Sequence, residues 1–233
     1  MKIGIIGAML EEVNMIKTMM HTCIEKKHKN YILSTGKFRK NNIFLIQSGI
    51  GKVSASISTM ILINLYKPDI IINSGSAGSL NSLLKIGDIV LPKEICYYDV
   101  DLTNFGYAIG QVPRYPKKFI VNKNIFSFFK KKYIQNNLKF TTGLIISGDK
   151  FIRGGLLIKK LKKNFSSAIA VEMESAAIAQ VCYQFKIPLF IVKSISDLSD
   201  QNATVNFNKN ISIASLQSAR FLKTIIENIN DLE

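Results

Sequence analysis

The sequence predicts an α/β fold, a mixed and largely parallel sheet with helices on both faces. Two observations carry this. Short, largely apolar runs such as Ile70-Ile71-Ile72 and Pro188–Ile195 read as strands buried on both sides. Segments of helical period, among them Met9–Met20, Ser175–Phe185 and Asn208–Ile229, alternate with those runs. In such sheets ligands bind outside the carboxyl ends of the strands, so the residues just past each run matter most for function.

Lys2–Gly7 is a short apolar strand that turns at Gly7-Ala8 into the first helix. Tyr31–Gly36 and Ile43–Ser48 read as two strands around the polar turn Arg39–Asn42. Gly49-Ile50-Gly51 opens a helix that runs to about Tyr66, and Pro68-Asp69 separates it from the strand Ile70–Ile72. That strand ends in Asn73-Ser74-Gly75-Ser76-Ala77-Gly78. Ile89–Leu91 and Ile95–Val100 read as two further strands, followed by a long loop, Leu102–Pro116. Asn124–Tyr133 is helical, and Thr142–Ser147 is a strand ending at Gly148-Asp149. Ile169–Met173 passes directly into the helix Ser175–Phe185.

A chain of 233 residues, nearly half of them apolar and without a Pro/Ser-rich linker, fits one domain over residues 1–233. No apolar run reaches the roughly 18 residues of a membrane span, and Glu11 and Glu12 interrupt the N-terminal run too early for a signal peptide. A cytoplasmic protein with no membrane partner is expected. Cys23, Cys96 and Cys182 are far apart and odd in number, which argues against a disulfide framework or zinc site. His21 and His28, the only histidines, flank a Lys-rich segment, which removes Ser/His/Asp catalysis and His-ligated metals from consideration. The net charge of +15 invites a nucleic-acid reading, but the cations are overwhelmingly lysine, and arginine is the usual bidentate reader of bases and phosphates. The lysines read as a solvated face, with no nucleic-acid partner.

Phosphate motifs fail on spacing. Gly49-Ile50-Gly51-Lys52 lacks the first glycine of a P-loop, and Gly4…Gly7 does not fit the dinucleotide fingerprint. Three acids remain at the strand ends: Glu12, Glu174 and Asp197. Each has an ordinary reading, as a helix N-terminal charge, a helix cap and a turn residue respectively. Their convergence on one sheet edge suits glycosidic chemistry, in which carboxylates in different environments divide the acid and base roles.

Six stretches together resemble one family. Gly4-Ile5-Ile6-Gly7-Ala8-Met9…Glu12, Ser48-Gly49-Ile50-Gly51-Lys52-Val53 and Asn73-Ser74-Gly75-Ser76-Ala77-Gly78 are similar to segments of the 5′-methylthioadenosine/S-adenosylhomocysteine nucleosidases. So are Ser147-Gly148-Asp149, Ala170-Val171-Glu172-Met173-Glu174 and Ser194-Ile195-Ser196-Asp197. The resemblance implies a homodimer with a three-layer αβα sandwich, needing no metal or cofactor and acting on small adenine thioribosides. It implies Glu12 as the general base for water and Asp197 as the acid that protonates the purine. Met173 would pack on the ribose, Glu174 would hold its hydroxyls, and Ser76 would lie beside the sugar and water. Phe151 and Ile152 would hold adenine, with Phe207 also lining the pocket, while Met9 and Ile50 would line the ribose and thioether region. Leu102, Phe105, Tyr107 and Pro113 would border the alkylthio pocket, partly from the partner subunit. Lys193 stands where the family usually has arginine, and the resemblance puts it near Glu12.

Overall fold

The computed structural model describes residues 1–135 and 139–232. Isoleucines dictate its layout. β1 (Lys2–Gly7) is buried from Ile3 onward, and neither side of it can face water. β4 (Asn41–Gln47) and β5 (Ile70–Ser79) flank it, both parallel to it. β10 (Leu189–Asp197), buried along its whole length, runs parallel on the far side of β5. Complete burial of each isoleucine or leucine side chain contributes about 1.5–3 kcal/mol, so these central strands supply much of the core.

Two additions make the sheet mixed. β2 (His21–His28) and β3 (Tyr31–Phe38) extend it antiparallel beyond β4. At the other end, β6 (Ile89–Tyr97) pairs antiparallel with β10 and with the short β7 (Phe119–Ile120). β8 (Thr141–Ser147) lies parallel to β6, and β9 (Ala168–Glu172) parallel to β8. β9 then returns antiparallel to the end of β5, so the sheet curls back on itself through β5, β10, β6, β8 and β9.

Helices cover both faces, giving three layers. α1 (Leu10–Lys17) and α6 (Ala203–Asn228) pack together on one face; α2 (Lys52–Tyr66) and α5 (Ser175–Phe185) pack together on the other. α3 (Lys123–Gln135) and α4 (Gly155–Asn164) follow β7 and β8. Among the described residues, no helix is long and apolar enough to cross a membrane.

Three differences from the sequence reading concern the sheet and the helix after β8. His21–His28 is a strand, although its polar, Lys-rich character conceals it. It lies at the edge of the sheet, exposed on nearly every residue, and edge lysines discourage pairing with another chain. The strands read separately at Ile89–Leu91 and Ile95–Val100 are one strand with a register shift between Pro92 and Glu94. Pro92 has no N–H to give to a ladder, which favours such an irregularity. Gly155–Asn164 is a helix that the sequence reading left unassigned, although Leu157 and Ile158 lie at helical spacing from the buried Leu161 and pack with it in one cluster.

Candidate active site

β1 delivers the first acid. The chain leaves Gly7 and enters α1, and Glu12 falls in the first helical turn, 4% exposed. Its Oε2 accepts hydrogen bonds from the N–H groups of Ala8 (2.8 Å) and Met9 (3.2 Å). Its Oε1 accepts from Ser76 N–H (2.8 Å) and Ser76 Oγ (2.9 Å). The carboxylate is thereby clamped between a helix start and β5. Glycine at position 75 makes the approach possible, because a Cβ there would lie 2.5 Å from Glu12 Oε1.

The last strand delivers the second. Asp197 ends β10 beside a register shift and is buried against Gly78 of β5. Its Oδ1 accepts from Ser199 N–H (2.9 Å) and its Oδ2 from Ser196 Oγ (2.9 Å). Burial raises its pKa above the ordinary aspartate value, against the lowering effect of those two hydrogen bonds, and the nearby charge of Asp200 adds to the rise. A Cβ on Gly78 would approach Oδ1 to 2.9 Å.

The third group lies where β9 becomes α5. Glu174 occupies the N-cap position, yet its side chain makes no cap hydrogen bond. Its Oε1 instead accepts from Gly51 N–H (2.8 Å), at the start of α2. The cap role expected for Glu174 belongs to Glu172, which receives the N–H groups of Glu174 and Ser175. Lys193 Nζ lies 3.1 Å from Glu172 Oε2, with both side chains almost wholly buried. Burial opposes ionisation of Glu172, but Lys193 and the hydrogen bonds of Ser147 and Ser175 outweigh it and lower its pKa. Lys193 resists the same burial through Glu172, Glu174 and Glu12, and its pKa is raised. Glu174 has no such partner. Burial first, then the charge of Glu172, pushes it up to about 8.

A cavity of about 260 Å³ opens between these groups. Met9, Glu12, Ile50, Ser76, Phe151, Ile152, Met173, Glu174, Asp197 and Phe207 all line it. The rings of Phe151 and Phe207 meet edge to face at 5.6 Å, forming an aromatic wall suited to a planar base. Five expected residues lie elsewhere. Lys193 is sealed beneath the wall, where its ion pair is with Glu172 and not with Glu12. Leu102, Phe105, Tyr107 and Pro113 do not line the cavity within a single chain, and Phe105 is 76% exposed.

The match to known proteins extends over nearly the whole chain. Residues 2–227 fit the model of the phosphorylase superfamily. The 5′-methylthioadenosine/S-adenosylhomocysteine nucleosidase of Buchnera aphidicola subsp. Acyrthosiphon pisum (strain Tuc7) is 64% identical over 232 residues, covering 100% of both chains. This chain belongs to the 5′-methylthioadenosine/S-adenosylhomocysteine nucleosidase family. Solved structures agree. The nucleosidase of Streptococcus pyogenes in complex with 5-methylthiotubericidin superposes with a TM-score of 0.95 at 38% identity, covering 98% of this chain and 97% of that one. The Neisseria meningitidis nucleosidase in complex with methylthio-immucillin-A gives 0.94 at 35% identity, covering 97% of this chain and 99% of that one.

Sequence reasoning about this nucleosidase-family chain missed several wall residues: Ala8, Ala77, Gly78, Lys150, Val171, Glu172, Ser196, Ser199 and Thr204. Ser196 and Glu172 fall within the stretches that carry the family resemblance, and their placement beside two of the acids is a usable signal. Thr204 carried none, because α6 begins several residues earlier than its apolar period does.

Proposed function

We propose that this chain hydrolyses the N-glycosidic bond of 5′-methylthioadenosine and S-adenosylhomocysteine, and of 5′-deoxyadenosine, releasing adenine and the ribose product. The observation that carries this reading is the occupancy of the donors around Glu12. The N–H groups of Ala8, Met9 and Ser76, with the Ser76 hydroxyl, all point at its carboxylate. A phosphorylase would need such donors, and cations, for a phosphate dianion. A carboxylate in their midst repels a dianion and suits a neutral water.

In this mechanism Asp197, whose pKa burial raises, gives its proton to N7 of the base. The bond from C1′ to N9 breaks with its electron pair passing to adenine, leaving an oxocarbenium-like sugar. Glu12 takes a proton from water as the water oxygen bonds to C1′. Glu174 holds the sugar hydroxyls, Met173 packs on the ring, Phe151 and Phe207 flank the base, and Ile152 contributes backbone hydrogen bonds. Met9 and Ile50 border the 5′ side. Lys193 supports this set through Glu172.

The 5′ end of the site is completed by a second copy of the chain. Val53, Ile57 and Leu65 form an exposed apolar stripe at helical spacing on α2, with Tyr183 and Phe185 of α5 also exposed. A homodimer that covers this face brings the partner's loop, with Leu102, Phe105, Tyr107 and Pro113, to the alkylthio pocket. The one-domain organisation over residues 1–233 is part of the same reading. So is a cytoplasmic location, which accords with Cys23, Cys96 and Cys182 all being free thiols.

Product analysis tests the reaction class. Incubation with methylthioadenosine in phosphate-free buffer is expected to give adenine and free 5-methylthioribose, with little gain on adding phosphate. Obligatory phosphate dependence with a sugar 1-phosphate product would overturn the hydrolase reading.

A further inference from the structure

Glu172 has no free valence. Its Oε1 accepts from the Ser147 hydroxyl and from Ser175 N–H (3.1 Å). Its Oε2 accepts from Glu174 N–H (3.1 Å) and Ser175 N–H (2.9 Å), lies 2.8 Å from Ser175 Oγ, and is 3.1 Å from Lys193 Nζ. The network continues outward. Ser147 Oγ accepts from Ala176 N–H (2.9 Å), Ser175 Oγ also lies 2.8 Å from Asn73 Oδ1, and Asn73 Nδ2 donates to the Ile6 carbonyl (3.1 Å). One buried carboxylate thus ties β8, β9, β10 and the start of α5 together, with Asn73 joining β5 and β1. A group whose oxygens are all engaged by protein donors is a poor ligand for substrate, although it reaches the cavity wall.

We propose that Glu172, with Lys193 as its counter-ion, is a positioning residue that aims Glu174 at the sugar without touching the reacting atoms. The inference rests on the nucleosidase reading. Glu174 is held from two sides: its backbone N–H by Glu172, and its side-chain Oε1 by Gly51 N–H (2.8 Å). Loss of the first contact frees the peptide that sets the direction of the side chain. The pair also governs charge. Lys193 keeps the negative charge on Glu172, which adds to burial in keeping Glu174 proton-bearing, with a smaller contribution from Glu12 and opposition from Lys193 and Gly51. A protonated carboxyl can donate to one sugar hydroxyl and accept from its neighbour, whereas a carboxylate only accepts.

The test compares methylthioadenosine with its 3′-deoxy analogue, because a site built to hydrogen-bond a hydroxyl discriminates strongly against its absence. In the unmodified chain the analogue should lose on the order of 10²-fold or more in kcat/KM. Glu172→Gln should lower kcat/KM for methylthioadenosine and compress the 3′-deoxy penalty to within about tenfold, since Glu174 no longer reads the hydroxyl well. Glu172→Gln leaves a buried ammonium, so the double variant Glu172→Gln/Lys193→Met is measured beside it. That variant should fold better and still show the compressed penalty. Ser147→Ala, which removes the hydrogen bond to Glu172 and the one from Ala176 N–H but keeps both charges, should compress the penalty partway. A full 3′-deoxy penalty in the folded variants, with only thermal stability changed, would overturn the proposal. Absence of adenine release by the unmodified chain would instead overturn the nucleosidase reading on which it rests.

Discussion

At the scale of single residues, the two principal acids differ in their surroundings. Glu12 collects four hydrogen-bond donors, whereas Asp197 collects two and is buried with a raised pKa. That asymmetry suits a base and an acid respectively. Glu12→Gln should fold normally and lower kcat by ~10²–10⁴-fold, measured by adenine release; retention of a tenth of the activity would remove it from the base role. For Asp197 the proton must be present, so activity should fall as pH rises past its pKa. Ser196→Ala removes a hydrogen bond that favours the carboxylate, and should move that alkaline limb to higher pH. A limb unmoved or shifted to lower pH would show that another group sets it. Glu174 offers a thermodynamic check. Its folded pKa, pushed up to about 8, lies above the ordinary value of 4.5. The folded state therefore holds a proton that the unfolded chain releases, and stability is lost as pH rises from about 4.5 to 8. Glu174→Gln should accordingly gain in melting temperature relative to the unmodified chain between those pH values, and a constant difference would refute the raised pKa.

At the scale of elements, the site depends on backbones that approach closely. β5 passes Glu12 at Gly75, where a Cβ would come within 2.5 Å of Oε1. Gly75→Ala should therefore displace the carboxylate and reduce kcat by at least ~10²-fold. Near-wild-type circular dichroism with lost turnover would be the expected pair of results; full activity would mean that Glu12 can relax without consequence. The start of α5 depends on a buried ion pair. Lys193→Met leaves the buried Glu172 without its partner, and should cost about 3–5 kcal/mol in urea-induced unfolding. A loss below about 1 kcal/mol would mark the pair as a surface-like contact.

At the scale of the whole molecule, the exposed stripe Val53, Ile57 and Leu65 has the character of an interface left open in a single chain. Sedimentation should show a dimer, and Ile57→Glu should weaken it by placing a charge in an apolar contact. If the partner's loop forms the alkylthio pocket, the same variant should raise KM for methylthioadenosine at low protein concentration. A monomer with unchanged KM would leave Leu102, Phe105, Tyr107 and Pro113 without a role in binding.

By itself the sequence determined the alternation of buried strands and helices, because runs such as Ile70–Ile72 and Leu189–Val192 have only one stable environment, an apolar interior on both sides. It also determined which acids lie past strand ends, since chain order alone places Glu12, Glu174 and Asp197 there. The polar edge strand His21–His28 was hidden, because it forms through backbone pairing and carries no apolar signal. Only the tertiary structure decided which carboxylate is engaged by the protein and which is left at the cavity. Glu172 and Glu174 are two residues apart with the same chemistry. One is capped by serines, helix N–H groups and Lys193, and the other is left facing the cavity. That division arises from the direction each side chain takes and from the strands brought beside it by long-range pairing. Neither is encoded in the spacing of residues along the chain.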